Sequence, residues 1–188
     1  ANVDPQPIGA AFAGSGTFTF GEPRRFTITN RSTGRAGRGL VPMTGTIAAT
    51  IVGDNYSYDH DHAFPGFTFE GRMAGRINRG SALLTTMSGP AHARLSDVGE
   101  AVRSIETLGA PVAAIMHDVH GPLDAPMTLG GSYRYPEITT TVTSDALVVP
   151  LLGEVRATAA VVADMKTAAI SKIDIRRGSS SIVGEVTR

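Results

Sequence analysis

The sequence predicts a mainly β protein of the α+β class: an antiparallel β-barrel, or a barrel-like sandwich, with one or two helices inserted between two blocks of strands. Runs that alternate polar and apolar residues occur in both halves of the chain, and this period of two is typical of half-buried strands. Residues 96–120 interrupt the alternation with apolar residues at helical spacing. Neither block alternates strands with helices, which argues against a doubly wound α/β fold.

The first strands are predicted as a hairpin. Residues 17–20 and 25–29 both alternate polar and apolar side chains, and Gly21, Glu22 and Pro23 separate them. Two alternating runs joined by a short glycine- and proline-containing turn are typical of a β-hairpin. Residues 1–9 contain two prolines and no periodicity, so they are expected to form an irregular arm. The side chains expected on the core side of the hairpin are Phe18, Phe20, Phe26 and Ile28.

The rest of the first block is predicted to mix loops and strands. Residues 30–39 and 54–66 are expected to be loops, the first because it is rich in arginine and glycine. Residues 46–52 form a β-branched run that indicates a buried strand, and residues 67–70 resume the alternation. Residues 73–87 are expected to contain two short strands around a turn at 78–80.

The interlude begins with a predicted amphipathic helix. Asp97 and Glu100 have the spacing of a capping box, which places carboxylates in the first turn. One apolar stripe follows at helical spacing: it consists of Val98, Ala101, Val102, Ile105 and Leu108. Residues 110–120 remain open between a second helical segment that begins at Pro111 and a buried strand.

The second block returns to β patterns. Residues 132–135 and 138–143 alternate, residues 146–152 are apolar, and residues 181–187 are predicted as the last strand. Residues 155–175 are ambiguous, because their alanines suit a helix and their β-branched residues suit a strand. We favour a strand into Val162, a short helix or turn over 164–169, and a strand over 173–176.

Composition excludes several classes of protein. The 188 residues include 17 basic and 17 acidic side chains, so the chain has no net charge to attract nucleic acid, and no nucleic-acid partner is expected. The absence of cysteine excludes disulfides, thiolate metal sites and a thiol nucleophile. The length suits a single domain, 1–188. Lysine occurs only at Lys166 and Lys172, and this bias towards arginine is typical of GC-rich bacterial genomes.

No membrane span is expected, because no apolar run approaches the ~20 residues needed to cross a bilayer. Residues 1–9 lack the basic and apolar regions of a signal peptide. We therefore expect a soluble protein that is either cytoplasmic or secreted after removal of a signal.

Four of the five histidines form two close pairs, each beside aspartates: His60 with His62, and His117 with His120. Imidazoles bind zinc, copper and iron, and adjacent carboxylates orient them. If the interlude packs against residues 54–66, all four histidines become candidate ligands of a transition metal. His62 and His120 are then the candidate catalytic residues of a histidine-dependent enzyme. The competing interpretation is a solvated surface loop, since such short patterns are common by chance.

A second hypothesis concerns an apolar ligand. Strands rich in alanine, glycine and threonine leave room inside a barrel, and methionine adapts to irregular apolar ligands. The large apolar side chains of the β-blocks are Phe18, Phe20, Phe26, Met43, Phe64, Phe67, Phe69, Met73, Met87 and Tyr133. The sequence contains no dinucleotide-binding motif, phosphate-binding loop or nucleophile elbow.

Three functions are therefore open. The favoured one is a β-barrel that binds an apolar small molecule or lipid, as an accessory or biosynthetic protein. The first alternative is a histidine-dependent enzyme on the same barrel, with or without a metal. The second is a homo-oligomeric subunit that assembles into a ring, tube or shell.

Overall fold

The computed structural model describes residues 10–19, 24–36, 41–108, 114–164 and 167–187. They form one antiparallel sheet in which the strands follow the order of the chain, each pairing with the next. The strands are β1 (Ala10–Thr19), β2 (Arg25–Ala36), β3 (Val41–Val52), β4 (Asn55–Phe64), β5 (Phe67–Arg76), β6 (Gly89–Leu95), β7 (Leu123–Gly131), β8 (Pro136–Val149), β9 (Gly153–Ala163), β10 (Ala168–Arg177) and β11 (Ser180–Thr187). One helix, α1 (Val98–Thr107), lies between β6 and β7.

A mainly β fold with a helix between two blocks of strands is confirmed, but the sheet is not closed into a barrel. Within the described residues, β1 pairs with β2 alone and β11 with β10 alone. The alternation of residues specifies which face of each strand is apolar, whereas closure depends on strand tilt and stagger, which the alternation does not encode.

Two segments predicted as loops are strands. Residues 30–36 extend β2, in register with β3 from Asn30↔Ile47 to Ala36↔Val41. Residues 55–64 form the whole of β4, which pairs on both sides. Central strands tolerate residues of low β propensity, such as aspartate and asparagine, because packing and pairing with neighbours decide the outcome. Gly53, with φ of 61°, makes the tight turn between β3 and β4.

The predicted pair of short strands in 73–87 is only partly present. Residues 73–76 are the end of β5, and a 3-10 turn follows at Ala82–Leu84. Two isolated bridges, Ala74↔Ser88 and Thr86↔Ser132, tie the remaining residues to the sheet. The connection is thus a looped excursion between β5 and β6 rather than a hairpin of its own.

The predicted helix cap is confirmed. The Asp97 carboxylate accepts a hydrogen bond from the backbone N–H of Glu100, at 2.9 Å, and so satisfies one of the free donors of the first turn. A 3-10 turn at Ala114–Asp118 follows α1, while Pro111 lies outside the described residues. The cluster under the helix contains Val98, Val102 and Val119, packed against Leu95, Met116, Leu123 and Leu147.

Residues 155–163 and 168–175 belong to strands, and residues 165 and 166 lie outside the described residues. The predicted strands into Val162 and over 173–176 are confirmed, but β10 begins at Ala168, within the range predicted as a helix or turn. The backbone N–H of Thr167 donates to the Asp164 carboxylate, at 2.7 Å, and so links the end of β9 to the start of β10. The arm over residues 1–9 and Phe20 of the first hairpin lie outside the described residues.

The open sheet leaves much of the molecule uncovered. The chain exposes 12139 Å² of surface, against about 8,600 Å² for a compact monomer of its mass, 19.6 kDa. No helix among the described residues is long and apolar enough to cross a membrane.

Candidate functional site

The two faces of the sheet differ sharply in polarity. Residues that are partners across neighbouring strands point to the same face, so one row of partners samples that face from strand to strand. From β2 to β10 one such row consists of Asn30, Ile47, His60, Gly71, Ala91, Met127, Thr140, Val161 and Ile170. The adjacent row on the other face, from β2 to β7, consists of Arg31, Thr46, Asp61, Glu70, His92 and Pro126. We call these the apolar face and the polar face.

Charged pairs cross the strands of the polar face. Asp59 on β4 accepts a hydrogen bond from Arg72 on β5 at 2.5 Å, and Arg94 on β6 lies 2.7 Å from Glu70 on β5. His92, the fifth histidine, lies 2.6 Å from the Asp124 carboxylate. These exposed pairs indicate a face that remains in water.

The apolar face is buried at its centre. Met73, Ala91 and Ala125, on the central strands β5 to β7, are only 1%, 6% and 6% exposed. Segments at the two ends of the face help to shield it: α1 at one end, and Thr86 and Tyr133, beside Tyr56, at the other. We call the apolar side of the sheet between these two ends the groove.

Helix α1 closes one end of the groove. The Ser104 hydroxyl donates to the Pro65 carbonyl in the turn between β4 and β5, at 2.9 Å. Gly66, next in that turn, has a φ of 81°, and a Cβ there would lie 2.4 Å from the backbone nitrogen of Ala101. Only glycine allows so close an approach between helix and turn.

A recess of about 180 Å³ lies in the groove beyond the helix. Its lining is almost wholly apolar and comes from β7 to β10: Leu123, Val142, Thr143, Ser144, Ala157, Thr158, Ala159, Ile173 and Ile175. A wider recess of about 430 Å³ is lined by both acidic and basic side chains, among them Asp145, Glu154 and Arg156. Because charged side chains line the wider recess, the apolar recess is the better candidate for an apolar ligand.

Five rings follow one another along β4 on the apolar face: Tyr56, Tyr58, His60, His62 and Phe64. Successive ring centroids lie 6.0, 5.6, 5.9 and 6.5 Å apart. This ring ladder depends on glycines in the neighbouring strands. A Cβ at Gly45 would lie 2.5 Å from the His62 ring, and a Cβ at Gly71 would lie 3.0 Å from His60 Nε2.

His60 and His62 are neutral near pH 7. Burial, followed by the charge of His62, lowers the pKa of His60, and the backbone of Phe69 and the nearby aspartates oppose the shift more weakly. Burial also lowers the pKa of His62, against a smaller effect of Asp61. A neutral imidazole has one hydrogen-bond donor and one acceptor, so the two rings are polar groups without charge.

The second histidine pair lies beside α1 and is paired with carboxylates. His117 Nε2 lies 3.0 Å from Glu106, and His120 Nδ1 lies 3.2 Å from Asp97. Hydrogen bonds from the backbone N–H groups of Gly121 and Glu100 lower the pKa of Asp97, and His120 adds to the effect. His62 and His120, the candidate catalytic residues, thus lie in separate environments.

The four histidines are not assembled into one ligand set. Among the residues that the structure describes, no group of three or more histidine, aspartate or glutamate side chains is arranged to hold a metal ion. The expectation that residues 54–66 form a loop is wrong, because residues 55–64 are β4, fixed between β3 and β5. The interlude meets this segment only at its end, where α1 contacts Pro65 and Gly66.

Two polar side chains of the apolar face were missed by the sequence analysis. Asn30 and Ser32 lie on β2, in the segment predicted as a loop, and their partners on β3 are Ile47 and Gly45. Ser32 is 4% exposed, and the Asn30 Oδ1 is buried without a hydrogen-bond partner among the described residues. No alternation of polar and apolar residues marks them in the sequence, because residues 30–33 are all polar.

Comparison of the chain with protein-family models, curated proteins and solved structures found no significant match.

Proposed function

We propose that the protein binds an apolar small molecule or the acyl chain of a lipid in the groove. The observation that supports this most is the apolar face itself, which continues from β2 to β10. It is covered by α1 at one end and by Thr86 and Tyr133, beside Tyr56, at the other. Large apolar surface patches commonly mark binding sites. The apolar recess between β7 and β10 supplies a preformed place for part of the ligand.

The expected affinity follows from the area that a chain would bury. Each buried methylene contributes about 0.8 kcal/mol, so a chain of roughly 12 to 16 carbons gains about 10–13 kcal/mol. Association costs about 4 kcal/mol or more. The remainder, about 6–9 kcal/mol, corresponds to dissociation constants from roughly tens of micromolar to a few tenths of a micromolar, which fluorescence titration can measure.

The test uses diphenylhexatriene, an apolar fluorophore without hydrogen-bonding groups, and two adjacent valines on β9. Val161 lies on the apolar face, in the row of Thr140 and Ile170, whereas Val162 is 56% exposed on the polar face. Val161→Asp places a carboxylate in the groove and is expected to weaken binding of the fluorophore by at least about tenfold, since a charge must be desolvated. Val162→Asp is the matched control, with the same substitution one residue away.

Saturable binding by the wild type, weakened by Val161→Asp and retained by Val162→Asp, would support the proposal. Absence of binding by the wild type, or equal weakening by both variants, would overturn it. Far-UV circular dichroism of both variants identifies any loss of binding that comes from unfolding.

A further inference from the structure

We propose that Asn30, Ser32, His60 and His62 form a subsite for the uncharged, hydroxyl-rich head of an amphiphile, of the glycerol or sugar type. We call these four residues the polar island. The inference rests on the proposed function, since the chain of that amphiphile would occupy the groove. It names the class of ligand that the groove takes.

The placement of the four residues follows from the strand register. Asn30, Ile47 and His60 are partners in one row across β2, β3 and β4, and Ser32, Gly45 and His62 are partners in the next row on the same face. β2 and β4 are two strand spacings apart, about 10 Å, and alternate residues along a strand are about 7 Å apart. The polar island is therefore a rectangle the size of a small polyol.

Part of its hydrogen-bonding capacity is unused. The buried Asn30 Oδ1 has no partner among the described residues, and an unsatisfied buried acceptor destabilises the fold. The Ser32 hydroxyl reaches only the Gly45 carbonyl, at 3.4 Å, which is long for a hydrogen bond. One nitrogen of the His60 ring already bonds the backbone of Phe69, which leaves the other, and the neutral His62 ring can both donate and accept. A polyol matches this mixture, because each hydroxyl also donates and accepts.

The surroundings favour an uncharged head. No charged side chain lies on the apolar face among the described residues of β2, β3 and β4. A carboxylate or phosphate placed there would be desolvated without a countercharge, at a large cost. Towards β5 to β9 the same rows continue through Ala91, Met127 and Val161, which gives the chain an apolar path away from the head.

The test compares two ligands with the same twelve-carbon acyl chain: monolaurin, an ester with two free hydroxyls, and methyl laurate, an ester with none. Each is titrated against bound diphenylhexatriene, and the ratio of the two dissociation constants is measured in the wild type and in Asn30→Leu/His62→Leu. Comparing ratios between proteins cancels the difference in solubility between the two esters. We expect the preference for monolaurin to fall by at least about fivefold in the double variant, as one or two lost hydrogen bonds imply.

Thr46→Leu is the control, because Thr46 lies on β3 between the same two strands but on the polar face. Its ratio is expected to equal that of the wild type. Ser32→Ala is a second and milder variant, in case the double variant has an altered urea unfolding midpoint. An unchanged ratio in both island variants would overturn the subsite.

A measurement that does not use the fluorophore separates this inference from the proposed function. In NMR spectra of the wild type, monolaurin should shift the Cε1–H signals of His60 and His62 more than methyl laurate does. If the fluorophore fails to bind but these shifts occur, the subsite stands without the groove. If neither ester shifts the signals selectively, the subsite is wrong even where the groove binds the fluorophore.

Discussion

The two histidine pairs of this protein have similar spacing in the sequence and opposite environments in the structure. His60 and His62 lie on the apolar face, and burial lowers the pKa of both. His117 and His120 lie beside α1, with side chains 33% and 52% exposed, and each contacts a carboxylate. One pair is therefore kept neutral in the groove, and the other belongs to the polar contacts of the helical segment.

The difference comes from secondary structure rather than from residue type. In β4 the period of two separates the histidines from the aspartates between them, so Asp59 pairs with Arg72 on the polar face. After α1 the chain forms a short 3-10 turn and then a single bridge, and the imidazoles meet acids from the helix and its cap. A cluster of histidine and aspartate in sequence thus predicts a shared site only when the local backbone places both residue types on one side.

The largest effect is expected when the contacts of the exposed histidine pair are removed. Asp97 accepts hydrogen bonds from the backbone N–H groups of Glu100 and Gly121 and contacts His120. Asp97→Ala removes the helix cap and leaves the Gly121 donor unpaired, so the free energy of unfolding should fall by about 2–3 kcal/mol. Urea denaturation measures it, with Asp118→Ala, an exposed acid of the same segment, as the control. A loss equal to that of the control would contradict the role of the cap.

A smaller effect is expected where the buried pair depends on a glycine. A Cβ at Gly45 would lie 2.4 Å from the Asp61 carbonyl oxygen and 2.5 Å from the His62 ring. Gly45→Ala should therefore destabilise the fold by about 1–2 kcal/mol through overpacking. Gly184, on β11, has nothing within 4 Å of the same position, so Gly184→Ala is the matched control. Equal urea midpoints for the two variants would show that the ring ladder does not need the glycine.

The sequence predicts the strands whose alternation is clear and misses those rich in turn-forming residues. The first hairpin, the cap at Asp97 and the strands on both sides of 164–167 were all predicted, because each depends on local pattern. β4 and the second half of β2 lie in segments predicted as loops, because residues 54–66 are rich in aromatic and charged groups and residues 30–39 in arginine and glycine. What makes them strands is pairing with neighbours on both sides, and that is not a local property.

The incorrect loop prediction for residues 30–39 is also the reason that two of the four residues of the polar island are not predicted from the sequence. His60 and His62 were identified as chemically interesting, and their shared face followed from the period of two. Asn30 and Ser32 were not identified, because a residue in a presumed loop has no defined face. Only the register between β2, β3 and β4 brings the four side chains together.

The smallest expected effect is a decrease in the free energy of unfolding at acidic pH, which tests whether His60 and His62 are held neutral. The folded-state pKa values of His60 and His62 lie below the ordinary value of 6.5, so the unfolded chain takes up protons first as the pH falls. The free energy of unfolding should therefore be highest above pH 6.5 and should decrease as the pH falls below it. The pKa of Asp97 is also lowered, but its contribution is lost only below its ordinary value of 3.8, outside this window.

Urea midpoints at pH 7.5 and 5.0 should differ less in His60→Gln/His62→Gln than in the wild type. The control is Ser57→Gln, an exposed position on the other face of β4. An acid loss as large in the histidine variant as in the wild type would mean that His60 and His62 titrate alike in the folded and unfolded chains, which would remove the contrast with the pair beside α1.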